Sequence, residues 1–309
     1  MTGYIYNEKY QQHSLSPLHP ESAQRLKAIQ ELLNKTGLIQ KIEHLEPLVD
    51  EKLLINSILK IHSQAHINSI TADSHLTEPA FLAVAGVLGA VDAVSTGRVH
   101  NAFCAVRPPG HHAHNNGAHC DGRLQGEGFC FFNNVAIGAR YAQVKHEYNK
   151  ILILDWDYHH GNGTEWAFYD DPSVLFFSTH ALYNYPGSGH QNRTGIGPGA
   201  GYNLNVPLKD FADDDDIISA WENELLPKLE ELKFTPDFVF ISAGFDSRKD
   251  DYLGNFAITD HGFARLTDIA LTIAHKSCNG RLVSVLEGGY NPQGLAQAVC
   301  AHLEALLER

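Results

Sequence analysis

A rhythm of short apolar runs ending in polar, glycine-rich turns restricts the fold of this chain more than any other feature. AFCAV (102–106) leads into RPPGHH, and ILILDWD (151–157) leads into YHHGNG. VLFFSTH (174–180), YNLNVPL (202–208), DFVFISAGFDS (237–247) and RLVSVLEGGY (281–290) follow. Strands that are apolar at every position are buried on both faces, which requires a parallel sheet layered with helices. The helices are legible between the runs, in NNVAIGARYAQVKHEY (133–148), IISAWENELLPKLEELK (217–233) and HGFARLTDIALTIAHK (261–276). Nearer the start, PESAQRLKAIQELLNKTG places Leu26, Ile29 and Leu33 at helical spacing, with Gly37 as the stop. A second helical stretch, DEKLLINSILKIHS, precedes an apolar helix beginning near Pro79. No repeat or low-complexity linker divides the 309 residues, so the expectation is one α/β domain over residues 1–309.

Charge narrows the partners. The formal charge is −13, from 36 acidic and 23 basic residues. Such a surface repels phosphate backbones, which argues against nucleic acid, and favours cationic substrates. The five cysteines (104, 120, 130, 278 and 300) are odd in number and contain no CxxC pair. That pattern fits reduced thiols in a cytosolic protein, three of them in the core. The first residues, MTGYIYNEKYQQH, lack the basic-then-apolar pattern of a signal peptide, and the apolar run over residues 80–91 stops at Asp92, too short to cross a bilayer. The expectation is a cytoplasmic protein with no membrane partner.

Two segments imitate binding motifs. The acidic run Asp213 to Asp216 lacks the spacing of a calcium loop and precedes a helix, whose first N–H groups attract acidic residues. GIGPGAG (195–201) looks like a phosphate cradle, but a strand follows it where a phosphate site needs a helix N-terminus.

Ligand-type residues collect at the carboxyl ends of the strand runs, where open parallel sheets bind ligands. In ILILDWDYHHGNG, alternation points Asp155, Asp157 and His159 one way and Trp156 and Tyr158 the other. Two carboxylates and an imidazole there form a metal site or an acid/base site. Asp246, at a second strand end, would complete an Asp2His set, leaving one coordination position open as catalytic zinc sites do. Tyr290, behind two glycines in LEGGY, would project its hydroxyl into the same region.

The histidine-dense stretch RPPGHHAHNNGAHCDGRLQGEGFCFF (107–132) invites a metal reading for itself. Its two prolines favour extended backbone, on which the adjacent side chains of His111 and His112 face apart. They suit proton transfer better than shared metal ligation, with Asp155 and Asn162 available to hold their second nitrogens. His114, His119 and Cys120 lack the spacing of a four-ligand site, so the segment from His114 to Glu127 reads as a rim loop that selects substrates or mediates self-association into a homo-oligomer.

RPPGHHA, GFCFFNN, DWDYHHGNG, AGFDS and LEGGY, in this order, resemble the histone deacetylase and acetylpolyamine amidohydrolase family. HPES near the start and NVPL extend the resemblance over most of the chain. It implies the arginase–deacetylase fold, a mostly parallel eight-stranded sheet flanked by helices. It implies zinc held by Asp157, His159 and Asp246, a set whose chemistry also accepts Fe2+, and His111 and His112 as proton-handling histidines backed by Asp155 and Asn162. It makes Tyr290 the donor to the substrate carbonyl, and Phe129 and Tyr185 the channel walls. Asp73 would be a rim residue, and Leu253 stands where a polyamine-selective relative would carry an acid, with Asp250 and Asp251 nearby. A potassium ion would lie near Asp155, Asp157, His159 and Ser178. Asn162 and LEGGY resemble the class II branch, whereas Tyr185 departs from the usual Phe. Arg248 stands where the two-manganese arginases need an aspartate, which disfavours a binuclear site. The implied activity is removal of acetyl or other acyl groups from acyl-lysine in proteins or peptides. The alternatives are deacetylation of acetylpolyamines or other small cationic amides, and an acyl-lysine-binding protein without turnover.

Overall fold

A computed structural model of the chain describes residues 1–16, 18–116, 118–120 and 123–308, with backbone only at 74, 118–120 and 123–125. Ten strands are present among these residues: β1 (Thr2–Ile5), β2 (Glu43–Leu45), β3 (Asn101–Cys104), β4 (Ala118–Cys120), β5 (Arg123–Gln125), β6 (Ile151–Asp155), β7 (Val174–Ala181), β8 (Asn203–Leu208), β9 (Phe238–Ala243) and β10 (Leu282–Leu286). Eight form one sheet in the order β2-β1-β3-β10-β9-β6-β7-β8, every pair parallel. β4 and β5 form a separate antiparallel hairpin.

The ten α-helices are α1 (Ala23–Thr36), α2 (Glu51–Ile58), α3 (Gln64–Thr71), α4 (Ser74–Ser95), α5 (Asn134–His146), α6 (Asn162–Phe168), α7 (Asp214–Ala220), α8 (Leu226–Glu231), α9 (Asp260–Cys278) and α10 (Pro292–Leu307). The six apolar runs become β3, β6, β7, β8, β9 and β10. The sheet gains β1 and β2 from TGYI and EHL, segments too short for periodicity to register. The eight-stranded α/β architecture implied by the resemblance is the one present.

The sheet order places the site. β3, β10, β9 and β6 are consecutive neighbours, and parallel strands carry all their carboxyl ends to one edge. The segments following them, 105–112, 287–290, 244–246 and 156–159, are therefore brought side by side from four distant parts of the sequence.

Below that edge the core is dense. Trp156 packs between Trp221 and His302, with ring centroids at 5.9 and 5.4 Å. His302 is fully buried and has both nitrogens engaged, by Thr267 Oγ1 and Ser284 Oγ at 2.7 Å each. A buried ion cluster fastens the start of α1 to the segment after β3. Glu21 takes both Arg107, through Nε and Nη2, and Arg25 Nη1 at 3.1 Å. Burial alone would raise the Glu21 carboxyl, but the two guanidiniums outweigh it and hold the pKa at about 2.

The apolar helix differs from its expectation. α4 is 22 residues long, enough by length and composition to cross a membrane, although its uninterrupted apolar run is shorter. Most of its apolar side chains are buried within this fold, which is how a core helix disposes of them. Cys104, Cys278 and Cys300 are free and buried, and Cys130 joins them. The acidic run is a helix cap. Asp213 accepts from the N–H groups of Asp215 and Asp216 at 3.1 and 3.2 Å, and Asp216 accepts from Asp213 N in return. GIGPGAG makes one 3-10 turn over Gly197–Gly199 and leads into β8, with no helix N-terminus to hold a phosphate.

Candidate active site

Asp155 closes β6, and its carboxylate turns back to accept from Asp157 N at 3.0 Å. That turn presents Asp157 and His159 to Asp246, which follows β9. One donor atom from each of the three lies within 4.8 Å of the others. His159 Nδ1 is 2.9 Å from Asp246 Oδ2 and 3.3 Å from Asp157 Oδ1. Glycines admit the carboxylates to this position. A Cβ on Gly244 would meet Asp157 Oδ2 at 1.9 Å, and one on Gly288 would meet Asp246 Oδ2 at 2.2 Å. Gly288 N also donates to Asp157 Oδ2 at 2.9 Å, tying the loop after β10 to the trio.

The electrostatics favour a cation. Burial works against charge on His159, but Asp157 and Asp246 outweigh it and hold the imidazole near 10. Burial and the neighbouring Asp157 push Asp246 up to about 7. Two buried carboxylates on one imidazole, with three donors and room above them, suit a divalent metal of the zinc type. Binding must displace the His159 proton, and below about pH 7 the Asp246 proton as well. Zinc affinity is therefore expected to rise with pH, by about one proton per ion between pH 7.5 and 9 and more steeply toward pH 6. Competition with a chromophoric chelator at several pH values measures this, and a flat profile would contradict it.

The two histidines of RPPGHH do not face apart. The backbone turns at this pair, and the rings lie 4.0 Å apart between centroids, inclined by 43°. His111 Nδ1 bonds Asp155 Oδ2 at 3.0 Å, and His112 Nδ1 bonds Asn162 Oδ1 at 2.6 Å. Their charges diverge. Burial opposes protonation of His111, yet Asp157 and Asp155 raise it well above the usual imidazole range. Burial, then His111 and His159, holds His112 well below that range. His112 thus stays neutral, with Nδ1–H donating to Asn162 and the Nε2 lone pair free.

A cavity of about 480 Å³ opens over this floor, lined by His112, His159, Phe129, Tyr185, Leu253 and Tyr290 among others. Over residues 69–306 the chain matches the histone deacetylase domain. It belongs to the histone deacetylase family. A "Probable deacetylase" of Archaeoglobus fulgidus is 36% identical over 95% of this chain and 82% of its own length. Histone deacetylase 5 of Arabidopsis thaliana is 35% identical over 99% of this chain but 49% of its own length. The chain thus spans about half of that relative. Among solved structures, the HD domain of HDA15 superposes with a TM-score of 0.88 at 32% identity, covering 100% of this chain and 88% of that one.

The remaining sequence-predicted positions of this deacetylase domain divide. Tyr290 is buried and stands edge-on to Phe129 with centroids 5.8 Å apart. Burial, then Asp246 and Asp157, raises its phenol well above the usual value, so it stays a hydroxyl donor. Tyr185 is half-exposed and packs edge-on to His112 at 5.1 Å. Phe129 holds a positive φ of 70°, an uncommon state for a bulky residue. Asp73 is not on the cavity over the trio. Its carboxylate caps α4 by accepting from His75 N at 2.9 Å, and it borders a neighbouring cavity that shares Gly126 and Phe129. Arg248, at the arginase position, turns away to pair with Asp260 at 2.7 and 3.1 Å. Asp155 and Ser178 are register partners across β6 and β7, and Ser178 Oγ is 2.9 Å from His180 Nδ1.

The segment from His114 to Glu127, read as a rim loop, contains the antiparallel pair β4 and β5. His114 is engaged, with Nδ1 2.9 Å from Glu127 Oε2. His119 and Cys120, weighed for a second metal, lie among side chains outside the described residues.

Glu287 is the residue that motif reading quoted without a role. From inside LEGGY its Oε2 accepts from Gly110 N at 2.6 Å and His111 N at 3.1 Å, so it holds the turn that carries both histidines. Burial raises it to about 7, against the pull of His111. The available signal in the sequence was a glutamate closing the apolar run LVSVL directly before a glycine pair.

Proposed function

We propose that this chain hydrolyses the amide of acyl-lysine in proteins or peptides, with zinc held by Asp157, His159 and Asp246. The observation that carries the reading is the convergence of those three donors beneath a cavity walled by a neutral His112 and a protonated Tyr290. Zinc in that set would supply the positive charge that polarises an amide carbonyl and makes water acidic enough to attack at neutral pH. His112 takes the proton of the attacking water on Nε2, with Asn162 fixing the tautomer through Nδ1. The imidazolium so formed returns that proton to the departing amine. His111, charged between Asp155 and Asp157, remains beside it as an electrostatic partner. Tyr290 donates its hydroxyl hydrogen bond to the carbonyl oxygen as negative charge develops there.

Acyl-lysine is favoured over an acetylpolyamine by the mouth of the cavity. Leu253, not an acid, lines it. Asp251 directs its carboxylate to the N–H groups of Leu253, Tyr290 and Asn291, and it is not among the residues lining the cavity. A potassium ion near Asp155, Asp157, His159 and Ser178 belongs to the same proposal. Acetate release from acetyl-lysine peptides and from acetylated polyamines, assayed side by side with zinc-loaded and Fe2+-loaded protein, tests the reading. Faster release from the peptides is expected. Preference for the polyamines would reverse the substrate assignment, and no release from either would favour an acyl-lysine-binding protein without turnover.

A further inference from the structure

We infer that Asp251 is a positioning residue that sets the gap between Tyr290 and Leu253, two lining residues of the same cavity; this rests on reading Tyr290 as the carbonyl donor. Its Oδ2 accepts from Tyr290 N at 2.7 Å and from Asn291 N at 3.1 Å. Its Oδ1 accepts from Leu253 N at 2.9 Å. One carboxylate therefore holds the loop after β9 and the loop after β10 together at the cavity wall.

The chemistry requires a carboxylate. Three N–H donors converge on it from two sides, and only an ionised carboxyl accepts at both oxygens. An amide in its place would turn an NH2 against donors on one side, releasing either Leu253 or the Tyr290–Asn291 pair. The surrounding backbone supports the clamp. Asn291 Nδ2 donates to Asp250 O at 3.0 Å, a second link between the loops. Gly254 lies so close to Asp246 that a Cβ would meet the Asp246 carbonyl oxygen at 1.9 Å, so the loop folds back on the strand end that supplies a donor of the trio. On its other side the tyrosine loop is held by Arg25, whose Nε donates to Gly289 O at 2.6 Å and whose guanidinium lies 5.2 Å from the Tyr290 ring centroid. With Arg25 fixed, loss of Asp251 frees the Tyr290 backbone on one side only. A displacement near 1 Å at a positioned group costs on the order of 10²-fold in rate.

The zinc-loaded protein is assayed as wild type, Asp251→Asn, Asp251→Ala, Tyr290→Phe and the double variant Asp251→Asn/Tyr290→Phe. An acetyl-lysine peptide is the substrate, and zinc content, thermal midpoint and amide hydrogen exchange at Leu253, Tyr290 and Asn291 are followed. Asp251→Asn should lower kcat by about 10- to 100-fold with KM within about threefold and zinc content unchanged, and should speed exchange either at Leu253 or at the Tyr290–Asn291 pair, whichever side the NH2 faces. Once Tyr290 is Phe, the same substitution should cost less than about threefold, because its effect runs through the lost hydroxyl. Effects that multiply, or exchange that stays slow at all three amides, would overturn the clamp. If Asp251→Ala does not fold, Asp251→Asn and the exchange rates carry the test. Near-normal turnover by Tyr290→Phe alone would overturn the donor role instead, and the exchange rates would then decide the clamp by themselves.

Discussion

Replacing Asp246 by Asn is expected to lower turnover by about three orders of magnitude while leaving the fold intact. Asp246 Oδ1 accepts from Tyr158 N at 2.8 Å, and Oδ2 faces His159 Nδ1 at 2.9 Å. An asparagine keeps the first bond only by placing its carbonyl oxygen at Oδ1. The NH2 group then takes the Oδ2 position, where it has no lone pair to offer a cation and points hydrogens at it. The trio would fall to two donors at the place where positive charge is needed. Lewis-acid stabilisation is worth several kcal/mol, and each 1.4 kcal/mol is a factor of ten, so a loss of about 10³ follows. The zinc-induced rise in thermal midpoint should vanish with it, since a ligand stabilises only the state that binds it. Zinc content after dialysis, acetate release and the thermal midpoint with and without zinc are the measurements. A variant that retains one zinc per chain and turns over within tenfold of wild type would remove Asp246 from the ligand set.

Much of this organisation was legible before any coordinates, for a physical reason. A strand buried on both faces must be apolar nearly throughout, so β3, β6, β7, β9 and β10 announce themselves, and the polar residues that end them stand out by contrast; β8, at the sheet edge, mixes Asn203 and Asn205 with apolar residues. Asp155, Asp157, His159, Asp246 and Tyr290 were all found in this way, at the ends of β6, β9 and β10. What local pattern could not supply was the direction of side chains after a strand stops. Extended alternation put His111 and His112 on opposite sides, but the backbone turns there and brings the two ring centroids to 4.0 Å. Nor could it reach groups whose partners are backbone N–H donors far away in the chain. Glu287 holds His111 across 176 residues and Asp251 holds Tyr290 across 39, and no periodicity encodes a hydrogen bond to a distant amide. β1 and β2, at 4 and 3 residues, are strands only because β3 offers an unpaired edge to continue.

Tyr290→Phe isolates one hydroxyl from everything else at the site. The ring stays buried, edge-on to Phe129 and beneath the Arg25 guanidinium, and phenylalanine preserves both contacts. The backbone N–H that Asp251 holds is unaffected, as are the three donors of the trio. Folding, zinc content and KM should therefore stay close to wild type. The loss falls on kcat, by about 10²- to 10³-fold, the usual consequence of removing one preorganised donor to a developing oxyanion. The phenol is suited to that task because burial beside Asp246 and Asp157 keeps it protonated, and a donor already in place pays no reorganisation when charge appears. A fall in KM alone, or turnover within about threefold of wild type, would mean that the hydroxyl does not meet the carbonyl oxygen. Oxyanion stabilisation would then fall to the cation that Asp157, His159 and Asp246 would hold, because His112 must keep Nε2 free to receive the proton.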